Sequence, residues 1–223
     1  MAELKVIEIK QSIFADNDAD AQRLRDGLKQ EKTFLLNLMS SPGSGKTTTL
    51  TRLIAALQDD LKIGVMEADI DSDVDAVTIA ATGAKAIQLH TGGMCHLDAA
   101  MTRQGLEGLD AGEADLVILE NVGNLVCPAE FDTGAVANMA ILSVPEGHDK
   151  PLKYPLMFQV CDTVLINKID VAPYFDFDFD KCREYIHMRN PNAKIFPISA
   201  KTGEGVEAVA AFLKEEVAKW KGV

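Results

Sequence analysis

Ser40-Ser41-Pro42-Gly43-Ser44-Gly45-Lys46-Thr47 follows an apolar run at 33–39 and leads into a helix-forming segment at 47–57. A strand, a Gly/Ser loop ending in Lys-Thr, and a helix together form the setting of a phosphate-binding loop. In such a loop backbone N–H groups surround the β-phosphate, the lysine (Lys46) bridges β- and γ-phosphates, and the hydroxyl of Thr47 ligates Mg²⁺. Gly43 and Gly45 let the backbone approach the ligand with no Cβ in the way, and Ser44 and Thr48 complete the expected nucleotide-binding set. Ser40 stands where the pattern G-x-x-x-x-G-K-[S/T] has its first glycine, so the match rests on the second half of the motif and on its flanks. A Gly/Ser turn that happens to contain Lys-Thr is the competing reading, and the motifs below weigh against it.

The 223 residues are enough for a well-buried core, and the 47% hydrophobic fraction is ordinary for a globular chain. We divide it into an N-terminal extension and helix (1–32) and one compact nucleotide-binding domain (33–223). Thirty-four acidic against 22 basic residues give a net charge of −12. With no local basic cluster to reverse it, this balance excludes a nucleic-acid surface. No apolar stretch reaches the roughly 18 residues of a membrane span, and no signal pattern opens the sequence, so a cytoplasmic protein is expected. In that reducing setting the four cysteines, Cys95, Cys127, Cys161 and Cys182, are thiols or metal ligands, not disulfides.

Seven β-type runs, at 33–39, 62–68, 85–89, 115–120, 135–144, 162–167 and 194–198, alternate with helical segments. That alternation predicts an α/β fold of parallel βαβ units: a P-loop NTPase fold with a mostly parallel sheet of about seven strands and helices on both faces. The nearly continuous Val/Ile/Leu runs agree with two covered faces. Ligands then sit at the carboxyl ends of the strands. A charged helix is expected at 16–31 and a closing amphipathic helix, carrying Trp220, at 205–220.

Asn167-Lys168-Ile169-Asp170 ends one apolar run, and Ser199-Ala200-Lys201 follows the next. Together they are similar to the guanine-specificity elements of GTPases, about 120 residues beyond the phosphate loop and in the right order. By that similarity Asp170 would accept from guanine N1 and the 2-amino group, while Asn167 and Lys168 would hold the loop and stack on the base. The Ala200 N–H would meet the guanine carbonyl.

Hydrolysis needs carboxylates between these motifs. Asp69 closes the second strand and is the choice for the Mg²⁺ shell, with Asp75 as orienter of the attacking water. Asp71 and Ser72 read as helix caps. Glu120 closes the fourth strand, beside the expected Mg²⁺, and opens the loop Asn121-Val122-Gly123-Asn124-Leu125-Val126-Cys127-Pro128. Gly92-Gly93-Met94-Cys95-His96 follows the third strand. Cys95, His96 and Cys127 offer two thiolates and an imidazole, a donor set suited to Ni²⁺ or Zn²⁺ and poorly suited to Mg²⁺. We expect the ends of strands three and four to lie close enough for the three to converge. Cys161 and Cys182 read as core residues.

The ordered set S-S-P-G-S-G-K-T, T-G-G-M-C-H-L-D-A, L-E-N-V-G-N-L-V-C-P-A-E-F-D, N-K-I-D and S-A-K-T-G resembles the hydrogenase nickel-incorporation GTPase family HypB, of the SIMIBI class, over about residues 33–220. The resemblance implies GTP hydrolysis, GDP as product, and delivery of nickel to the [NiFe]-hydrogenase large subunit with other maturation partners. It also implies a GTP-dependent homodimer with Cys95, His96 and Cys127 at the subunit interface. An amino-terminal C-x-x-C-G-C motif, present in some members, is not found here, so no separate nickel store is expected.

Glu120 and Cys127 are seven residues apart, at most about 25 Å of extended chain. Nucleotide and metal therefore share one loop, and the metal site should respond to the nucleotide. No arginine in the motifs is placed as an internal finger, so isolated turnover should be slow; Lys153 is a candidate to act across a dimer. The alternatives are a urease-accessory nickel GTPase, disfavoured because Cys95-His96 and Cys127-Pro128 are separate, and a metal-binding scaffold with a regulatory nucleotide site.

Overall fold

The computed structural model describes residues 9–69 and 74–223; for 9–13, 69 and 74–76 it describes the backbone alone. Elements alternate as α1 (Ile9–Glu31), β1 (Phe34–Ser40), α2 (Lys46–Leu57), β2 (Ile63–Asp69), α3 (Val74–Ala80), β3 (Lys85–His90), α4 (Ala99–Leu109), β4 (Leu116–Glu120), α5 (Cys127–Glu130), β5 (Ala137–Ser143), α6 (Lys150–Lys153), α7 (Pro155–Val160), β6 (Thr163–Asn167), α8 (Phe179–Arg189), β7 (Lys194–Pro197) and α9 (Val206–Lys221). Each expected strand forms, β5 shorter at both ends than 135–144. The first helix begins earlier than 16.

All pairings are parallel, in the order β3-β2-β4-β1-β5-β6-β7. Side chains alternate between faces, as the pleat requires. Phe34, Leu36 and Leu38 of β1 pack against α2 and α9 through Leu50, Leu53, Ile54, Leu57, Val209 and Leu213. Leu35 turns to the opposite face, where Val117 and Leu119 meet Leu28 of α1 and Leu106 and Leu109 of α4. A third cluster covers β5 and β6 with α7 and α8, and it encloses Cys161 and Cys182, both fully buried. Burial pushes both thiols well above their ordinary range, so they are core residues as expected and not ligands.

One expectation is corrected. β3 and β4 are not neighbours: β2 lies between them. The chain adds β3 outside β2 as an edge strand, with exposed residues at both ends, so the loops after β3 and β4 start two strand spacings apart, about 10 Å.

The amino-terminal edge of the sheet is tied by Asp115, whose carboxylate accepts from the Lys62 backbone N–H at 2.8 Å and from the Lys221 ammonium of α9. Burial raises this carboxyl, but those two hydrogen bonds and the two lysine charges outweigh it and hold it below the ordinary value. A depressed folded-state value means stability that is present above the unfolded value and lost as pH falls through the folded one. Asp115→Asn should therefore lower the melting temperature at pH 7 by about 2–4 °C. The gap to wild type should close as pH falls below about 4 in scanning calorimetry.

Candidate functional site

Every nucleotide motif lies at the carboxyl edge of the sheet. The phosphate loop leaves β1 at Ser40 and reaches α2 through Gly43 (φ 73°) and Gly45 (φ 99°), left-handed positions that favour glycine. Ser40 fills the place of the missing first glycine without blocking the loop. Its side chain is buried, donates to the Ser41 carbonyl at 2.8 Å and receives the Ser44 hydroxyl at 2.7 Å. Ser41 is tied in turn to Glu146, which also accepts from the backbone N–H and hydroxyl of Ser143 at the end of β5.

The base motifs converge on this loop. The Asn167 amide donates to the Ser44 carbonyl at 2.9 Å and accepts from the Ala200 N–H at 3.1 Å, so one side chain joins phosphate loop to base loop. Lys168, held at φ 63°, reaches the Gly43 carbonyl at 2.6 Å. The Ser199 hydroxyl donates to Asp170 at 2.7 Å and orients its carboxylate. Gly45, Thr48, Asn167, Lys168, Asp170, Val171, Ala200 and Lys201 line a cleft of about 180 Å³.

Two features of this region escaped sequence reading. Arg52, two turns into α2, donates to the carbonyls of Ala200 and Lys201, both at 3.1 Å, and so pins the base loop to the phosphate helix. No local motif marks it. Glu67 of β2 is buried in register with buried Glu120 of β4, placing two carboxylates side by side. The Lys46 ammonium stands 3.9 Å from Glu120. Adjacent buried carboxylates favour a cation between them, and with the Thr47 hydroxyl the oxygen donors here suit Mg²⁺. Asp69 ends β2 as expected, but its side chain, that of Asp75, and the whole of Asp71 and Ser72 lie outside the described residues.

The loop after Glu120 lies on the phosphate loop. A Cβ on Gly123 would stand 3.3 Å from Lys46 Nζ and 3.4 Å from Pro42 N. Asn121 is anchored behind it by a buried amide chain: Asn121 donates to Asn37 at 3.1 Å, Asn37 to Asn138 at 2.9 Å, and Asn138 to the Val160 carbonyl at 3.2 Å. Six residues after Asn121, Cys127 opens α5 with Pro128 behind it.

Cys127 meets the loop after β3. Gly92 (φ 63°) and Gly93 (φ 93°) turn that loop, and Asp98 caps α4 by accepting from the Met101 N–H at 2.8 Å. A hydrogen bond with the Cys127 thiol, then burial, raise the Cys95 thiol above its ordinary value. Its sulfur lies 4.0 Å from His96 Nδ1. Burial lowers the His96 imidazole, outweighing Asp98 and Glu130, and keeps it neutral and able to ligate. The two cysteines and the histidine are thus neighbours, but His96 is stacked on Phe131 at 3.8 Å between ring centres, and among the described residues no three such side chains already enclose an ion position. Two thiols and an imidazole nevertheless form a donor set for a thiophilic metal, and binding to Cys95 would release a proton. Lys153 pairs with Asp149 at 2.6 Å on the surface of α6.

The phosphate loop, the base loops and the neighbouring thiols on one parallel sheet define a P-loop nucleotide-binding protein, and residues 34–197 match the CobW/HypB/UreG nucleotide-binding domain family. The chain is 44% identical over 97% of its length to the hydrogenase maturation factor HypB of Azotobacter chroococcum, covering 71% of that protein. It superposes on HypB from Helicobacter pylori, solved in complex with nickel, with TM-score 0.86 and 40% identity over 92% of this chain and 96% of that one. HypB from Archaeoglobus fulgidus gives TM-score 0.84 and 37% identity over 91% and 99%. The chain belongs to the HypB family of hydrogenase maturation factors.

A Cβ on Gly45 would lie 2.6 Å from Asn167 Nδ2, within the bridge that joins the two loops. Gly45→Ala should weaken GDP binding by about tenfold or more, at a strain of about 1–3 kcal/mol. Arg52→Ala should cost less affinity but should narrow the preference for GDP over IDP, which lacks the 2-amino group. Competition against a fluorescent GDP analogue measures both.

Proposed function

We propose that this chain hydrolyses GTP with Mg²⁺ and uses the cycle to hold and then release nickel for the large subunit of a [NiFe]-hydrogenase. One observation carries the reading. The segment 121–126 joins Glu120, beside Lys46, to Cys127, beside Cys95, and its Gly123 lies against the phosphate loop. Any rearrangement at the γ-phosphate is therefore felt within one short loop at a metal ligand.

In this mechanism Lys46 and the loop N–H groups bind the phosphates, while Asp170, oriented by Ser199, selects guanine. Thr47, Asp69 and Glu120 would hold Mg²⁺, which neutralises charge developing on the β- and γ-oxygens. Asp75 orients the attacking water. Gly123 lies against Lys46 and Pro42 of the phosphate loop, so the γ-phosphate would restrain the segment there. Loss of the γ-phosphate removes that restraint, and Cys127 moves relative to Cys95. Cys95, His96 and Cys127 take nickel as cargo, and the same donors accept Zn²⁺. The resemblance to HypB implies a GTP-dependent homodimer with this site at its interface; three ligands per chain fit either a site shared by two copies or a monomeric one completed by water.

Phosphate release should show GTP turned over slowly in the presence of Mg²⁺, ATP not at all, and Glu120→Gln slower by about 100-fold. In the same protein, Cys95→Ala and Cys127→Ala should each abolish thiolate-to-nickel absorbance. Intact GTP binding with no detectable hydrolysis would instead favour a metal-binding scaffold with a regulatory nucleotide.

A further inference from the structure

The loops that carry Cys95 and Cys127 start on strands separated by β2, about 10 Å apart, so their approach is made beyond the strand ends. A helix outside the sheet touches both. The Asn17 side chain of α1 accepts from the Ala99 N–H at 3.0 Å and donates to the Asp132 carbonyl at 2.9 Å. Ala99 is three residues beyond His96 and Asp132 five beyond Cys127, so one amide spans the exits of both metal-bearing segments. The second link is aromatic. Phe131, directly after α5, is stacked on His96 at 3.8 Å and 10° on one side and meets Phe14 of α1 at 4.9 Å on the other. Arg25, two turns further along α1, holds Asp132 through both carboxylate oxygens at 2.7 and 2.9 Å and donates to the Ala135 carbonyl at 2.9 Å.

We propose that α1 is a positioning element of the metal site, with Asn17 and the Phe14–Phe131–His96 stack setting the separation of Cys95, His96 and Cys127. The inference rests on the nickel-binding reading above and adds to it Phe14 and Asn17 of α1, which no motif in the loops contains. Losing a group that orients metal ligands from outside the coordination sphere costs about 10–100-fold in affinity. A side chain with one prong on each loop is more exacting than a single contact, because losing it frees the loops relative to one another even when each remains folded. The base cleft, formed by α2, β6 and the segment after β7, has no contact with Asn17 and serves as an internal control.

The test uses the full chain with Asn17→Leu, which removes both hydrogen bonds at similar volume, and Phe131→Leu, which removes the stack and leaves Asn17 intact. Nickel titration should show affinity lower by about tenfold in each variant, with GDP affinity within twofold of wild type. Hydrogen exchange in the metal-free protein should speed up at 94–98 and 127–132 while 167–170 stays protected. Asn17→Asp, which keeps the acceptor for Ala99 and loses the donor, should fall between. If Asn17→Leu fails to fold, the Phe131→Leu result decides. Nickel affinity within twofold of wild type in the folded variants, whatever their melting temperatures, would reduce α1 to a strap and overturn the proposal. Unchanged nickel affinity in Cys127→Ala would overturn the metal reading beneath it, a distinct result.

Discussion

Asn167 holds the nucleotide half of the molecule together. Its amide group has one acceptor on the Ala200 N–H and one donor on the Ser44 carbonyl, and with that bridge the phosphate loop and the base loop become one surface. The bridge is short because Gly45 has no Cβ to hold it open. Lys168, in a left-handed conformation that costs a non-glycine residue energy, and Arg52, reaching up from α2, brace the same junction from either side. The phosphate loop and the base loop are therefore held by one network, and the loop after Glu120 lies against it at Gly123.

That loop joins the phosphate loop to the neighbouring thiols. Asn121 is locked to the sheet through Asn37 and Asn138, and Cys127 opens a single turn of helix with a proline behind it. Asn121 is thus the anchored end of the segment, and Cys127 the end that meets the loop after β3. On the proposed function a motion that begins at Gly123 would reach Cys127 through the residues between them, while the Asn121–Asn37–Asn138 amide chain holds the end of β4. Linking two sites through a segment this short requires no long pathway of packed side chains.

Much of this was legible in the sequence because it is written locally. Ser40 to Thr47, Asn167 to Asp170 and Ser199 to Lys201 are each contiguous, and the apolar runs give all seven strands since a strand covered on both faces is apolar throughout. Strand order is not local: β2 separates strands three and four, and Cys95, His96 and Cys127 come together through the loops after those strands and not through neighbouring strand ends. Arg52, Glu67, Asn37 and Asn17 were missed for the same reason: each acts on a partner far along the chain, and nothing in its neighbours signals this. The charged pattern of α1 shows a helix but not that one of its polar residues grips two loops. Cys161 and Cys182 were placed correctly in the core, since apolar flanks are a local signal.

The central claim is that nucleotide state sets metal affinity through the segment between Glu120 and Cys127. The most direct measurement is nickel dissociation from the wild-type protein loaded with GDP or with a non-hydrolysable GTP analogue, followed by thiolate-to-nickel absorbance. The account predicts release rates that differ by about tenfold between the two states, which at equal association rates is a coupling of about 1.4 kcal/mol, and a difference that shrinks when Gly123 is replaced by alanine. Equal rates in the two nucleotide states would contradict it, and would mean that the thiol pair and the phosphate loop share a sheet edge without sharing a switch.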